Sequence, residues 1–138
     1  MFVLDNSVLC GWFLQDQADA YTEAVAARLS SERACAPPLL MLEFANVLRN
    51  LCRRGRFSVE QANEAIDAVA MLGIDIDHRE VPAAEIFNLA GRFDLTAYDA
   101  AYLQVALARR VPVATRDTAL IAAARAAGAG VVNESIDD

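Results

Sequence analysis

The sequence predicts an α/β protein of three layers, with a mainly parallel central sheet of about five short strands flanked by helices. Short apolar runs alternate along the chain with longer stretches of helical periodicity. With 56% hydrophobic and 22% charged residues over a length of 138, there is enough apolar side chain to cover both faces of such a sheet. No repeat, low-complexity tract or linker divides residues 1–138, so one domain is expected.

Residues 2–4 (FVL) form the first apolar run and the first strand. A helical pattern covers 21–29, and ACA at 34–36 is the second strand. Pro37 and Pro38 interrupt the chain, after which Leu40, Phe44, Val47 and Leu51 draw an apolar stripe along a helix over 40–53. Ser58 and Gln61 read as a capping box opening a helix at 59–72 that Gly73 closes. IDI at 74–76 is the third strand, followed by a helix at 84–93. Thr96 precedes a helix at 97–109, VPVA at 111–114 is the fourth strand, and Asp117 precedes a helix at 118–127. Val131 and Val132 make a weak fifth strand.

Composition removes several chemistries. All twelve basic residues are arginine, so a Walker A phosphate loop and Schiff-base catalysis, which need lysine, are excluded. Cys10, Cys35 and Cys52 are odd in number and widely spaced, and the one histidine, His78, reads as a plain loop residue; there is no zinc pattern. Reduced thiols and a cytoplasmic setting are expected. The run MFVLDNSVLCGWFL follows no basic residue, is interrupted by Asp5 and is too short to span a bilayer, so neither signal peptide nor membrane helix is expected. A net charge of −7 argues against a general nucleic-acid coat.

Ligands of parallel α/β sheets bind outside the carboxyl ends of the strands. Asp5 follows the first strand at once and Asp117 follows the fourth closely, while helices antiparallel to the strands bring their first turns back to the same edge. Glu43 and Asp99 stand near such helix starts, so four carboxylates from four distant segments are expected to converge. Each has a structural reading as well. Thr96 and Asp99 fit a capping box, Asp117 is a good N-cap, Glu43 suits a helix dipole, and Asp5 can form an Asx-turn. Capping does not account for Asp99 lying beside Leu103 and Ala106 on an apolar face, or for Glu43 at the rim of the Leu40 stripe. Half-buried carboxylates need partners. With no lysine, and with the arginines elsewhere, a bound cation is the economical partner, and carboxylates with hydroxyls from Ser7 and Thr115 suit Mg²⁺ or Mn²⁺.

LDNSV, the glutamate in LLMLEFANVL, TAYDAAYLQVA, and VATRD followed by a helix and VV together resemble a PIN-domain ribonuclease. The length and the wording of TAYDAAYLQVALA are most similar to VapC-type toxins of bacterial toxin–antitoxin pairs. The resemblance runs from Phe2 to Val132 and maps the acidic quartet onto Asp5, Glu43, Asp99 and Asp117, with Ser7 and Thr115 as polar supports. Asn6 departs from the small apolar residue common at its position. The resemblance implies a metal-dependent endoribonuclease leaving 5′-phosphate and 3′-hydroxyl ends. Asp5, Asp99 and Asp117 would hold Mg²⁺ directly or through water; Glu43 would position or deprotonate the water, or help hold a second ion. One ion or two is left open.

An acidic protein must hold RNA through a local patch. Arg49 and Arg53, one turn apart near Arg54 and Arg56, are one candidate, and Arg116 beside Asp117 is another; solvated charge at a helix end is the alternative for the first group. Arg109 and Arg110 read as dipole partners of their own helix. The resemblance implies a cognate antitoxin and a homodimer, and Trp12, Phe13 and Leu14 could contribute to such a surface, although core packing accounts better for at least two of them. Two other readings stay open: a catalytically silent PIN-like binding module, and an aspartate-based phosphotransfer enzyme, which would normally use the lysine this chain lacks.

Overall fold

A computed structural model describes residues 1–133; residues 134–138, part of the expected domain, lie outside them. The strands are β1 (Phe2–Leu4), β2 (Ala34–Ala36), β3 (Asp75–Ile76) and β4 (Val113–Ala114). The helices are α1 (Asn6–Phe13), α2 (Ala20–Arg28), α3 (Leu39–Arg53), α4 (Val59–Ala70), α5 (Ala83–Phe93), α6 (Ala97–Arg109) and α7 (Thr118–Ala126), with one 3₁₀ turn at Gln15–Gln17. All strand pairs are parallel and the order is β3-β2-β1-β4. The predicted α/β class with a parallel sheet flanked by helices is what forms.

β1 is central, with Val3 opposite Cys35 on one side and Val113 on the other. Phe2, Val3 and Leu4 are fully buried, as a strand covered on both faces requires. Helix α6 lies against β1 and β4 and packs with α5 and α7, while α1 packs on α2 and α3, and α3 on α4. Leu40, Phe44 and Leu48 of α3 are buried and Val47 and Leu51 partly so, which is the expected stripe. The Ser58–Gln61 capping box forms in both directions, at 3.0 and 2.9 Å.

Three elements differ from expectation. The fifth strand reduces to a single parallel bridge between Val113 and Val131, so the sheet has four strands. The fourth strand begins at Val113 rather than at residue 111, because Pro112 has no N–H to give the ladder and Arg110 has just turned the chain in a left-handed conformation at φ 58°. Helix α1 has no predicted counterpart. Its residues Val8, Leu9, Cys10 and Gly11 are all buried, so no polar face marks a helical period. Gly11 lets α1 and α2 approach closely: a Cβ there would lie 2.4 Å from Thr22 Cγ2. Trp12 and Phe13 are partly buried against the core, Leu14 is buried, and Phe13 meets Phe44 edge-on at 5.8 Å.

Cys10, Cys35 and Cys52 are free thiols. No helix among the described residues is long and apolar enough to cross a membrane.

Candidate active site

Because the four strands run parallel, Asp5 and Thr115 leave the sheet along the same edge. Asp5 N–H donates to Ala114 O at 3.0 Å, which extends the pairing of β1 and β4 to the first acid. Its side chain is 6% exposed, and Oδ2 accepts hydrogen bonds from Ser7 Oγ at 2.8 Å and Thr115 Oγ1 at 2.7 Å. Both hydroxyl oxygens accept in turn: Ser7 Oγ from Arg116 N–H, and Thr115 Oγ1 from Asp117 N–H, each at 3.0 Å. One short network thus fixes Asp5 relative to the chain that carries Asp117.

Asp117 is exposed and caps α7, its Oδ1 accepting from Leu120 N–H at 2.9 Å. Asp99 is half-buried in the first turn of α6, where Thr96 Oγ1 accepts from its amide at 3.1 Å; only this half of the predicted capping box forms. Glu43 is half-buried on α3, and its Oε1 accepts from the Tyr102 hydroxyl at 2.5 Å. Tyr102 was missed in the sequence. The available signal was its place one turn after Asp99, on the same face of α6.

The four carboxylates share a field. Burial pushes Asp99 up to about 6, with the charges of Asp117, Asp5 and Glu43 adding to the shift and Thr96 opposing it. Asp5 is raised by burial, against the hydrogen bonds from Thr115 and Ser7, with a further push from Asp117. Glu43 is raised by burial, against Tyr102, with a push from Asp5. None of the four has an ion-pair partner among the described residues, although the chain holds other acids in pairs. Asp77, which directly follows β3, shows the contrast: it is buried, and the guanidinium groups of Arg79 and Arg109 hold it far below the usual carboxylate range. Arg109, expected as a dipole partner, in fact ties α6 to β3 through Asp75 at 2.7 Å and Asp77 at 3.0 Å.

The arginines near the site divide into two kinds. Arg116 donates from Nε and NH2 to Ser7 O and from NH1 to Gln17 O and Asp19 Oδ2, so its guanidinium clamps α1 to the turn before α2. Arg49 and Arg53 are exposed on α3 and make no hydrogen bond or ion pair with any described residue. His78 is exposed in a loop. Cys10, near the acids, is pushed up to about 11, chiefly by burial, and is no nucleophile at neutral pH.

Among the described residues no three His, Cys, Asp or Glu side chains are gathered closely enough to hold one metal ion together. Mg²⁺ is commonly held by one or two carboxylates and keeps several waters, so an all-oxygen set with no competing arginine fits it chemically.

Fold and site together define a small parallel α/β domain with four acids that have no ion-pair partner among the described residues, two of them leaving the carboxyl edge of its sheet. The PIN domain family matches residues 2–126, and the chain belongs to that family. It is 38% identical over 88 residues to Ribonuclease VapC1 of Mycobacterium tuberculosis, in strains CDC 1551 / Oshkosh and ATCC 25618 / H37Rv. That match covers 64% of this chain and 65% of those relatives, so it spans slightly under two thirds of their length. The crystal structure of PAE2754 from Pyrobaculum aerophilum superposes with a TM-score of 0.70 over 88% of this chain and 83% of that one; at 22% identity the likeness is one of fold.

Proposed function

We propose that the protein is a Mg²⁺-dependent endoribonuclease, with Mn²⁺ as an alternative ion, and the toxin of a toxin–antitoxin pair. One observation carries the nuclease reading: four carboxylates from four segments share a repulsive field without a protein cation to relieve it. Similarity to proteins named ribonucleases supports RNA as the substrate. The toxin assignment, a cognate antitoxin and a homodimer rest on the motif resemblance, and a cytoplasmic location on the odd number and wide spacing of the cysteines.

Asp5, Asp99 and Asp117 would hold the ion, directly or through water. When bound, such an ion lowers the pKa of a coordinated water and offsets charge on the phosphate. The chain's own groups do the rest. Ser7 and Thr115 favour the ionised form of Asp5, against burial, and aim it by donating to Oδ2. Tyr102 occupies Glu43 Oε1, leaving Oε2 to accept a proton from water. Arg49 and Arg53 bind RNA phosphate, and Arg116 positions Ser7 while one guanidinium N–H remains for the substrate.

The test is incubation of purified, antitoxin-free protein with total RNA, with and without Mg²⁺, followed by sequencing of the cut ends. Cleavage that needs the ion and drops by orders of magnitude in Asp5→Asn and Asp117→Asn is expected. Near wild-type cleavage by both variants would make the quartet structural and end the nuclease reading.

A further inference from the structure

The chain has three tyrosines, and two of their hydroxyls are bonded: Tyr21 to Val132 O at 3.0 Å and Tyr102 to Glu43. Tyr98 is the exception. It stands immediately before Asp99, is 65% exposed and has no hydrogen-bond partner among the described residues. Across from it, Leu42 stands immediately before Glu43 and is 70% exposed. Two of the four acids therefore each follow a large, exposed side chain.

These side chains line one pocket of about 500 Å³, formed by Leu39, Leu42, Glu43, Asn46, Arg49 and Tyr98. Its volume is that of a small-ligand site. Glu43 belongs both to this pocket and to the acid group, so the two are continuous. Glu43, Asn46 and Arg49 follow at three-residue spacing and form a ridge along α3, with Arg49 about 9 Å beyond Glu43 along the helix axis. Arg49 is uncommitted, whereas Arg28, Arg33, Arg79, Arg109 and Arg116 are each bonded to protein. In a chain of net charge −7, a free cation beside a free aromatic ring, next to an amide, is a local arrangement the overall charge does not predict.

We propose that this pocket seats a nucleobase of single-stranded RNA adjacent to the phosphate presented to the acids, the base stacking on Tyr98 and the neighbouring phosphate meeting Arg49. The inference rests on the nuclease reading and extends it to how the strand is held. A nucleotide supplies a flat π-face for Tyr98, edge donors and acceptors for Asn46, and an anion for Arg49. A purely apolar partner segment would satisfy the first and bury the other two without partners. Because every base has a π-face, this pocket requires an unpaired strand more than a particular base.

The test uses single-stranded RNA oligonucleotides carrying 2-aminopurine on either side of the mapped cut, bound to the Asp117→Asn protein so that they stay intact. Stacking on Tyr98 quenches the fluorescence at one of these positions. Adding Tyr98→Phe keeps the quench; adding Tyr98→Leu, which retains apolar bulk, abolishes it. With Asp117 intact, Tyr98→Leu raises the KM for cleavage roughly 5- to 100-fold, as the loss of one base–aromatic stack does, while Tyr98→Phe stays near wild type. If the wild type cuts no RNA, the nuclease reading fails and this inference with it. If it cuts, and Tyr98→Leu retains both KM and quench, this inference alone is overturned. A shift in sedimenting mass with RNA binding unchanged likewise overturns it and assigns the surface to a second copy of the chain.

Discussion

The Tyr102 hydroxyl and Glu43 Oε1, 59 residues apart in sequence, are joined by a 2.5 Å hydrogen bond that ties α6 to α3 across the site. Tyr102 is 1% exposed, so nothing but this bond satisfies its hydroxyl. Tyr102→Phe is expected to lose about 1.5 kcal/mol of stability, the lower end for a bond to a charged acceptor because Glu43 keeps some water. The hydroxyl lowers the Glu43 pKa against the larger effect of burial, so its removal moves that pKa further up. Carbon-detected NMR of the carboxyl titration checks it; an unmoved Glu43 midpoint would mean the bond is not made in solution.

Metal-free protein should lose stability as pH rises from about 4 to about 6. Asp5, Glu43 and Asp99 all have folded-state pKa values above their ordinary ones, Asp99 at about 6 against 3.8. The folded form therefore binds more protons than the unfolded form in that window; the stability they favour is complete below it and gone above it. Thermal scans in chelator read the decline, and Asp99→Asn should flatten part of it. At pH 7, millimolar Mg²⁺ should raise the melting temperature with the logarithm of its concentration in the wild type, and Asp99→Asn should lose most of that rise. A wild-type melting point indifferent to divalent ions would remove the basis for a metal site.

Asp117 is a helix cap and a proposed metal ligand, two roles that substitution can separate. Its Oδ1 caps α7, a role that asparagine performs about as well. Asp117→Asn should therefore melt close to wild type, while Asp117→Ala should lose about 1 kcal/mol. Both should be catalytically silent. Residual cleavage that followed stability rather than charge would make Asp117 a cap alone.

Gly11→Ala tests the α1–α2 packing. The added methyl would sit 2.4 Å from Thr22 Cγ2, and Thr22 cannot retreat, because it is fully buried and locked in a capping box with Asp19. A net loss of about 1–3 kcal/mol is expected despite the better helix propensity of alanine. Chemical denaturation measures it; a stabilised variant would show that α2 can shift.

The free arginines of α3 should appear in the salt dependence of RNA binding. Arg49→Ala and Arg53→Ala each remove one guanidinium from the phosphate backbone, and each should flatten the slope of log K against log salt by roughly 0.7 on single strands. Unchanged slopes would assign these side chains to solvent or to a protein partner.

The parts of the fold legible in the sequence were those whose signal is local. FVL and ACA are uniformly apolar because β1 and β2 are buried on both faces, and the α3 stripe repeats because α3 has one wet side. After Asn6 and Ser7 the α1 segment has no polar residue, so its period is erased, and Pro112 shortens β4 by a backbone property that an apolar run conceals. The placing of Asp5, Asp99 and Asp117 at strand and helix ends followed from element order and parallel topology, whereas Glu43, expected in a first turn, lies past the first turn of α3. Their fine arrangement did not. Tyr102 on Glu43, Thr115 on Asp5 and Arg116 on Ser7 each join residues 59 to 110 positions apart, and no spacing within one segment encodes such bonds.

The strand order also has a consequence for biosynthesis. β1 is the first of the four strands to be made and β4 the last, yet they are neighbours in the sheet. At a ribosomal pace of about 5–20 residues per second, β1 waits on the order of ten seconds for this neighbour. Until then one of its edges is open, and Asp5 lacks both the Ala114 carbonyl and the Thr115 hydroxyl that hold it. The nascent chain thus carries an aggregation-prone apolar edge early and a complete acid group only late. A ribosome stalled before codon 113 would display the first without the second, so whatever activity the acids confer cannot begin until translation has passed Asp117.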